Sequence, residues 1–128
     1  VQFLLVYGNK TYKDASAQTP RTKADSLAMR EAFQHAVTIL AAADSTAPSA
    51  ASKFVLGVSA FKAGDLAIRE NQSAKQCDLA KLAESSFLTA QINIAAGGSI
   101  DPKTAQQLLS ALEQYRPAVE GQIKRFCK

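Results

Sequence analysis

The sequence contains no tryptophan, one methionine, one histidine and two cysteines in 128 residues. With His35 as its sole histidine and Cys77 far from Cys127, it lacks the partners that a zinc site requires. The same separation rules out CxxC redox chemistry. The longest apolar run, near Val1 to Tyr7, falls well short of the roughly 20 residues a membrane-spanning helix needs. β-Branched and aromatic residues are sparse and never alternate over a strand length, which argues against a sheet. GxxxxGK[ST], G-x-S-x-G and HExxH are all missing. These absences lead to the expectation of a chain without metal, cofactor, membrane insertion or enzymatic activity.

The abundant residue is alanine, present 24 times. Alanine is the best helix former, and its small side chain lets helices approach closely. The expected fold class is therefore all-α, in a single domain large enough to bury its own core. Net charge is +4, and the basic side chains are spread along the chain. The tightest group, Lys124, Arg125 and Lys128, reads as a solvated helix end complementing the negative pole of the macrodipole. It lacks the aromatic-flanked basic stripe of a nucleic-acid surface, so no nucleic-acid partner is expected.

Turn signals divide the chain. A first helix is expected over about Gln2 to Ala17, and Thr19-Pro20 starts a second, running to about Asp44. The Ser45-Thr46-Ala47-Pro48 segment ends it. A third block over about Ser49 to Ala63 is expected to stop at Gly64-Asp65. Helix then resumes at Leu66, weakens through Asn71-Gln72-Ser73 and continues to about Ala96, where Gly97-Gly98 supplies C-cap conformations. Asp101-Pro102 repeats the cap-then-proline signature ahead of a final helix. That helix carries Leu108, Leu109, Leu112, Tyr115, Val119, Ile123 and Phe126 at three- and four-residue spacing. Pro117 should kink or split it. His35, Asp65 and Asp101 read as a helix residue, a turn residue and an N-cap.

Two stretches resemble each other without gaps: Val6-Tyr7-Gly8-Asn9-Lys10-Thr11-Tyr12-Lys13 and Val55-Leu56-Gly57-Val58-Ser59-Ala60-Phe61-Lys62. Each has a large residue before glycine, an aromatic four residues later, then lysine. Downstream, Ala36, Leu40 and Ala43 match Ala83, Phe87 and Ala90 in spacing. This pattern resembles a degenerate tetratricopeptide repeat, without its tryptophan and with extra residues between the paired helices. The resemblance implies about five helices in stacked antiparallel hairpins. The first hairpin would cover 1–48, the second 49–97, and a closing helix 101–128. It also implies a non-enzymatic scaffold that binds a peptide or partner protein in a groove. The matching positions are Asn9, Tyr12 and Lys13 in the first unit, with Phe61 and Lys62 in the second. The alternative is a small structural or oligomeric helical bundle without a peptide groove, in which Tyr12 and Phe61 belong to the core and both lysines are solvated.

If Cys77 begins the second long helix, the closing helix could bring Cys127 beside it. A disulfide there would stabilise the fold by on the order of 4 kcal/mol, and would place the protein in the periplasm or outside the cell. Two unpaired thiols in a cytosolic protein are the other reading. The chain starts at Val1 rather than methionine, so an export signal removed upstream is compatible with this expectation.

Overall fold

The computed structural model describes residues 23–128 together with Lys10, and every regular element among them is an α-helix. α1 spans Lys23–Thr46, α2 Ala50–Ala74, α3 Cys77–Gly97 and α4 Pro102–Phe126. Four helices thus stand among the described residues where about five were expected in the whole chain. The helix expected over 2–17, with Gly8 and its half of the repeat, lies outside the described residues.

α1 buries one stripe, Met29, Phe33, Ala36 and Leu40, whose spacing keeps all four on one helix face. Met29 and Phe33 pack around Ala63 of α2, and Ala36 and Leu40 around Leu56. Complete burial of Phe33 and Leu40 contributes about 1.5–3 kcal/mol each. Pro48 ends the helix region as the sequence suggests, and Ser49 opens α2 with a capping box shared with Ser52. Asp44 closes this turn from the α1 side. Its carboxylate accepts from Ser52 Oγ at 2.6 Å and pairs with Lys53 Nζ at 2.7 Å. Farther along, Arg30 of α1 reaches Glu70 of α2 at 2.7 Å.

α2 does not stop at Gly64-Asp65, contrary to the sequence expectation. It runs unbroken to Ala74 and ends at Lys75, which adopts the left-handed conformation with φ 55°. Gly64 is there for space. A Cβ on it would stand 2.7 Å from the Phe87 ring of α3, and one on Gly57 would stand 2.7 Å from Ile94 Cγ1 and 2.8 Å from the Ile94 backbone nitrogen. Gly57 and Gly64 are two turns apart, so they form one seam with Ala60 and Ala67 along which α3 lies close. The antiparallel α2–α3 hairpin is the most closely packed pair in the structure. Its packing is compatible with a helical-hairpin arrangement, with the bend at residues 75–76.

Gly98 is the C-cap of α3 as expected, but neither Gly97 nor Gly98 has positive φ. Gly97 is buried, and a Cβ there would meet Ala50 O and Phe54 N at 2.6 Å. It allows backbone-to-backbone approach between the end of α3 and the start of α2.

α4 begins as expected, with Asp101 accepting from Thr104 N at 3.1 Å and Pro102 in the first turn. It continues through Pro117 without splitting. Glu113, whose carbonyl loses its donor at that turn, is exposed together with Arg116 and Pro117, so solvent can take the donor's place. The buried face of α4 lies on α3 and touches α2 at few points. Phe61, Phe87 and Tyr115, one from each of α2, α3 and α4, meet with ring centroids 5.0–6.0 Å apart. Asp65 is therefore a mid-helix residue at the edge of this aromatic group, not a turn residue. It accepts from Tyr115 Oη and from Arg69 Nε. Burial first, then the hydrogen bond to Asp65, pushes the Tyr115 hydroxyl above its ordinary pKa.

The far end of α4 is secured covalently. Cys77 and Cys127 form a disulfide with their Cα atoms 4.8 Å apart. Beside it, Asn71 Nδ2 donates to Gln122 Oε1 at 2.9 Å and to Gln76 O at 3.0 Å, while Gln76 N donates back to Asn71 Oδ1. Gln122 Nε2 completes the relay by donating to Ile68 O at 3.1 Å. Both amides are buried with hydrogen bonds at both ends, the condition under which buried polar groups specify a unique packing.

Candidate interaction site

Among the residues singled out in the sequence, Asn9, Tyr12 and Lys13 lie outside the described residues. Phe61 is buried, with its ring against Phe87 and Tyr115 at 6.0 Å from each. Its ring is a core element joining three helices, so it is not presented on a surface. Lys62 is exposed on α2. Lys124 and Arg125 occupy the last turn of α4, where their charge suits the helix pole. No three of His, Cys, Asp and Glu converge among the described residues. No described helix is long and apolar enough to cross a membrane.

Among the described residues, two grooves between helices stand out. The first lies over Ala60 and Ala63 of α2, between Gln34, Val37 and Thr38 of α1 and Leu82, Ser85, Ser86 and Thr89 of α3, with a volume of about 220 Å³. Several of its polar groups are already engaged. Thr38 donates to Gln34 O, Ser85 donates to Leu82 O, and Gln34 Oε1 accepts from Arg30.

The second is larger, about 320 Å³, and lies between α3 and α4. Glycines bring α2 close against α3, whereas α4 packs more sparsely on α3, through contacts that include the stacked Phe87–Tyr115 rings. The ends of α4 are nevertheless drawn in. A Cβ on Gly98 would stand only 3.4 Å from Ala105 Cβ, and the disulfide ties Cys127 to Cys77. A shallow cleft remains along the outer side of the middle.

Phe87, Leu112 and Val119, all buried, contribute its apolar lining, with the exposed Leu88 beside them. Leu88 is 57% exposed, and Ile92, one turn farther along α3, is 60% exposed. Glu84 and Gln91 flank the cleft on α3, and Glu113, Arg116 and Glu120 on α4. Arg116 lies 3.5 Å from Glu113 and 3.9 Å from Glu120, and all three side chains are about two-thirds exposed, so these ion pairs contribute well under ~1 kcal/mol each. They are available for exchange with a partner's charges.

Phe87, Leu112 and Val119 follow helical periodicity and read as core from sequence. The signal missed was a second apolar line on α3. Leu88 and Ile92 are four residues apart and off the main buried stripe of Leu79, Ala83, Phe87, Ala90 and Ile94. No protein-family model matches this chain, and neither the curated proteins nor the solved structures contain a match to it.

Proposed function

We propose that this chain is a non-enzymatic interaction scaffold whose α3–α4 cleft receives apolar side chains of a partner protein or peptide. The observation that carries this reading is the pairing of two large exposed residues, Leu88 and Ile92, with a cleft whose lining includes Phe87, Leu112 and Val119. Clustered exposed apolar surface with a polar rim is the usual mark of a contact site. A tetratricopeptide-like scaffold, as the sequence pattern suggests, would have the same class of function. The Cys77–Cys127 bond supports an oxidising location, periplasmic or secreted.

The alternative is a structural bundle in which the same face meets a second copy. The rim weighs against a symmetric contact of that kind. Across a two-fold axis, the three glutamates of each copy's rim would have only the single Arg116 of the other copy to meet, leaving acid in excess.

The test is retention of partners from an extract of the source organism by the immobilised, oxidised chain. Leu88→Glu is a surface substitution that should leave stability within about 0.5 kcal/mol, and it should abolish retention. Thr38→Glu, in the other groove, should not. Retention unchanged in Leu88→Glu but lost in Thr38→Glu would move the site to the α1–α3 groove.

A further inference from the structure

We propose that residues 117–127, the distal half of α4, form a hinged arm that the Cys77–Cys127 bond latches to the body and that a dithiol releases by reducing it. The two halves of α4 are held unequally. Asp101 caps the first half, and Ala105 and Leu112 are buried in it. The Tyr115 ring meets Phe61 and Phe87, and its hydroxyl donates to Asp65. The distal half buries only Val119 and Gln122, with Ile123 and Phe126 partly covered. Gln122 supplies its hydrogen bonds to the body, with Asn71 and with Ile68 O. Between the halves stands Pro117, which has no N–H for the Glu113 carbonyl, so the helix ladder is interrupted where they join. α4 bends there at the least cost.

The latch itself is placed for reduction. Cys127 lies just past the last turn of α4, Cys77 is the first residue of α3, and both are partly exposed. Helical Cα–Cβ bonds tilt toward the N-terminus, which sets Cys77 Sγ at the positive pole of α3. The N-cap, Gln76, makes no side-chain hydrogen bond to the first turn, so no cap neutralises that pole. Lys75 adds positive charge, and Asp78 in the first turn offsets part of it. Negative charge developing on Cys77 Sγ is thus stabilised, which makes Cys77 the leaving group. A thiolate of the dithiol attacks Cys127 Sγ, and the S–S electron pair departs with Cys77. The dithiol's second thiolate then displaces Cys127. Two cysteine thiols remain, the dithiol is oxidised to its disulfide, and its two protons end on the cysteines or in solvent. The arm carries Val119 and Glu120 of the α3–α4 cleft, so that wall is complete only while the bond is closed. Release depends on the bond and the hinge alone, not on what the cleft receives.

The experiment is hydrogen–deuterium exchange of the full chain before and after reduction with dithiothreitol, with circular dichroism reporting whether the reduced chain stays folded. Exchange over residues 118–127 should rise by about tenfold or more, while residues 29–46, 54–70 and 104–112 stay unchanged. The double variant Cys77→Ser, Cys127→Ser should show the same pattern without reductant. Pro117→Ala restores the missing donor, so after reduction its rise over 118–127 should be several-fold smaller than the parent's. Exchange that rises evenly over all the described helices, or loss of the folded signal, would make the bond a staple of the whole fold and overturn the latch. Unchanged exchange over 118–127 would overturn it as well. A rise undiminished in Pro117→Ala would overturn the hinge.

Discussion

Gly57 and Ile94 face each other so closely that a Cβ on the glycine would lie 2.7 Å from Ile94 Cγ1 and 2.8 Å from the Ile94 backbone nitrogen. A side-chain atom can move away, but the backbone of a buried helix cannot without shifting α3. Gly57→Ala should therefore destabilise the fold by about 1–3 kcal/mol through overpacking, outweighing the gain of up to ~1 kcal/mol that alanine brings to a helix interior. Gly121 is the internal comparison. It is also helical, but the nearest atom a Cβ would meet is Arg125 Nη2 at 3.9 Å. Gly121→Ala should stabilise by about 0.5–1 kcal/mol. Urea denaturation of the two variants beside the parent chain checks both signs.

The bond between Cys77 and Cys127 closes a segment with a sequence separation of 50 residues. Loop-closure entropy at that length corresponds to about 4 kcal/mol. Reduction, or replacement of both cysteines by serine, should lower the melting temperature by on the order of 10–20 °C. Differential scanning calorimetry with and without reductant measures it. An unchanged melting temperature would mean that the disulfide contributes little to stability.

Asn71 and Gln122 satisfy one another beside that bond. Asn71→Ala would leave Gln122 Oε1 and the Gln76 backbone without their partners, and should cost about 2–4 kcal/mol. Ser59 is the contrasting case. It is fully buried on α2, and its hydroxyl has no hydrogen-bond partner among the described residues. Ser59→Ala should be neutral or stabilising by up to about 1 kcal/mol. Chemical denaturation of both variants gives the comparison.

The α1–α2 turn should be sensitive to acid. Burial tends to raise the Asp44 pKa, but hydrogen bonds from Lys53, Ser52 and Ser49 outweigh it and hold the carboxyl below its ordinary value of 3.8. A depressed folded pKa means that the stabilisation is fully present above the unfolded value. It is lost as pH falls from near 3.8 through the lower folded value. Asp44→Ala should lower stability by about 1–2 kcal/mol at neutral pH. It should also flatten the part of the stability profile below pH ~4 that the parent shows. Parallel pH titrations of unfolding free energy provide the check.

The sequence was most legible where the cause of structure is local. Proline and a capping side chain act on their own backbone, so the breaks at Pro48 and at Asp101-Pro102 could be placed from a few residues. Glycine is ambiguous at that range. Gly64-Asp65 has the composition of a turn, yet Gly64 is explained by Phe87 in the next helix and Asp65 by Tyr115 in the one after. The repeat pattern leaves Phe61 open between a groove and the core, and only the meeting of three helices shows it as core. The apolar lining of the cleft was readable as helical periodicity. Its charged rim was not, because Glu84 of α3 and Arg116 and Glu120 of α4 are brought to one cleft by the packing of two helices, which no spacing along the chain encodes.

The most direct test of the proposed cleft is hydrogen–deuterium exchange of the oxidised chain, alone and with a partner retained from its source. The account predicts slowed exchange over residues 84–92 and 112–120, with residues 34–38 of the other groove unchanged. Slowing confined to residues 34–38 and 82–89, with 112–120 unaffected, would contradict it.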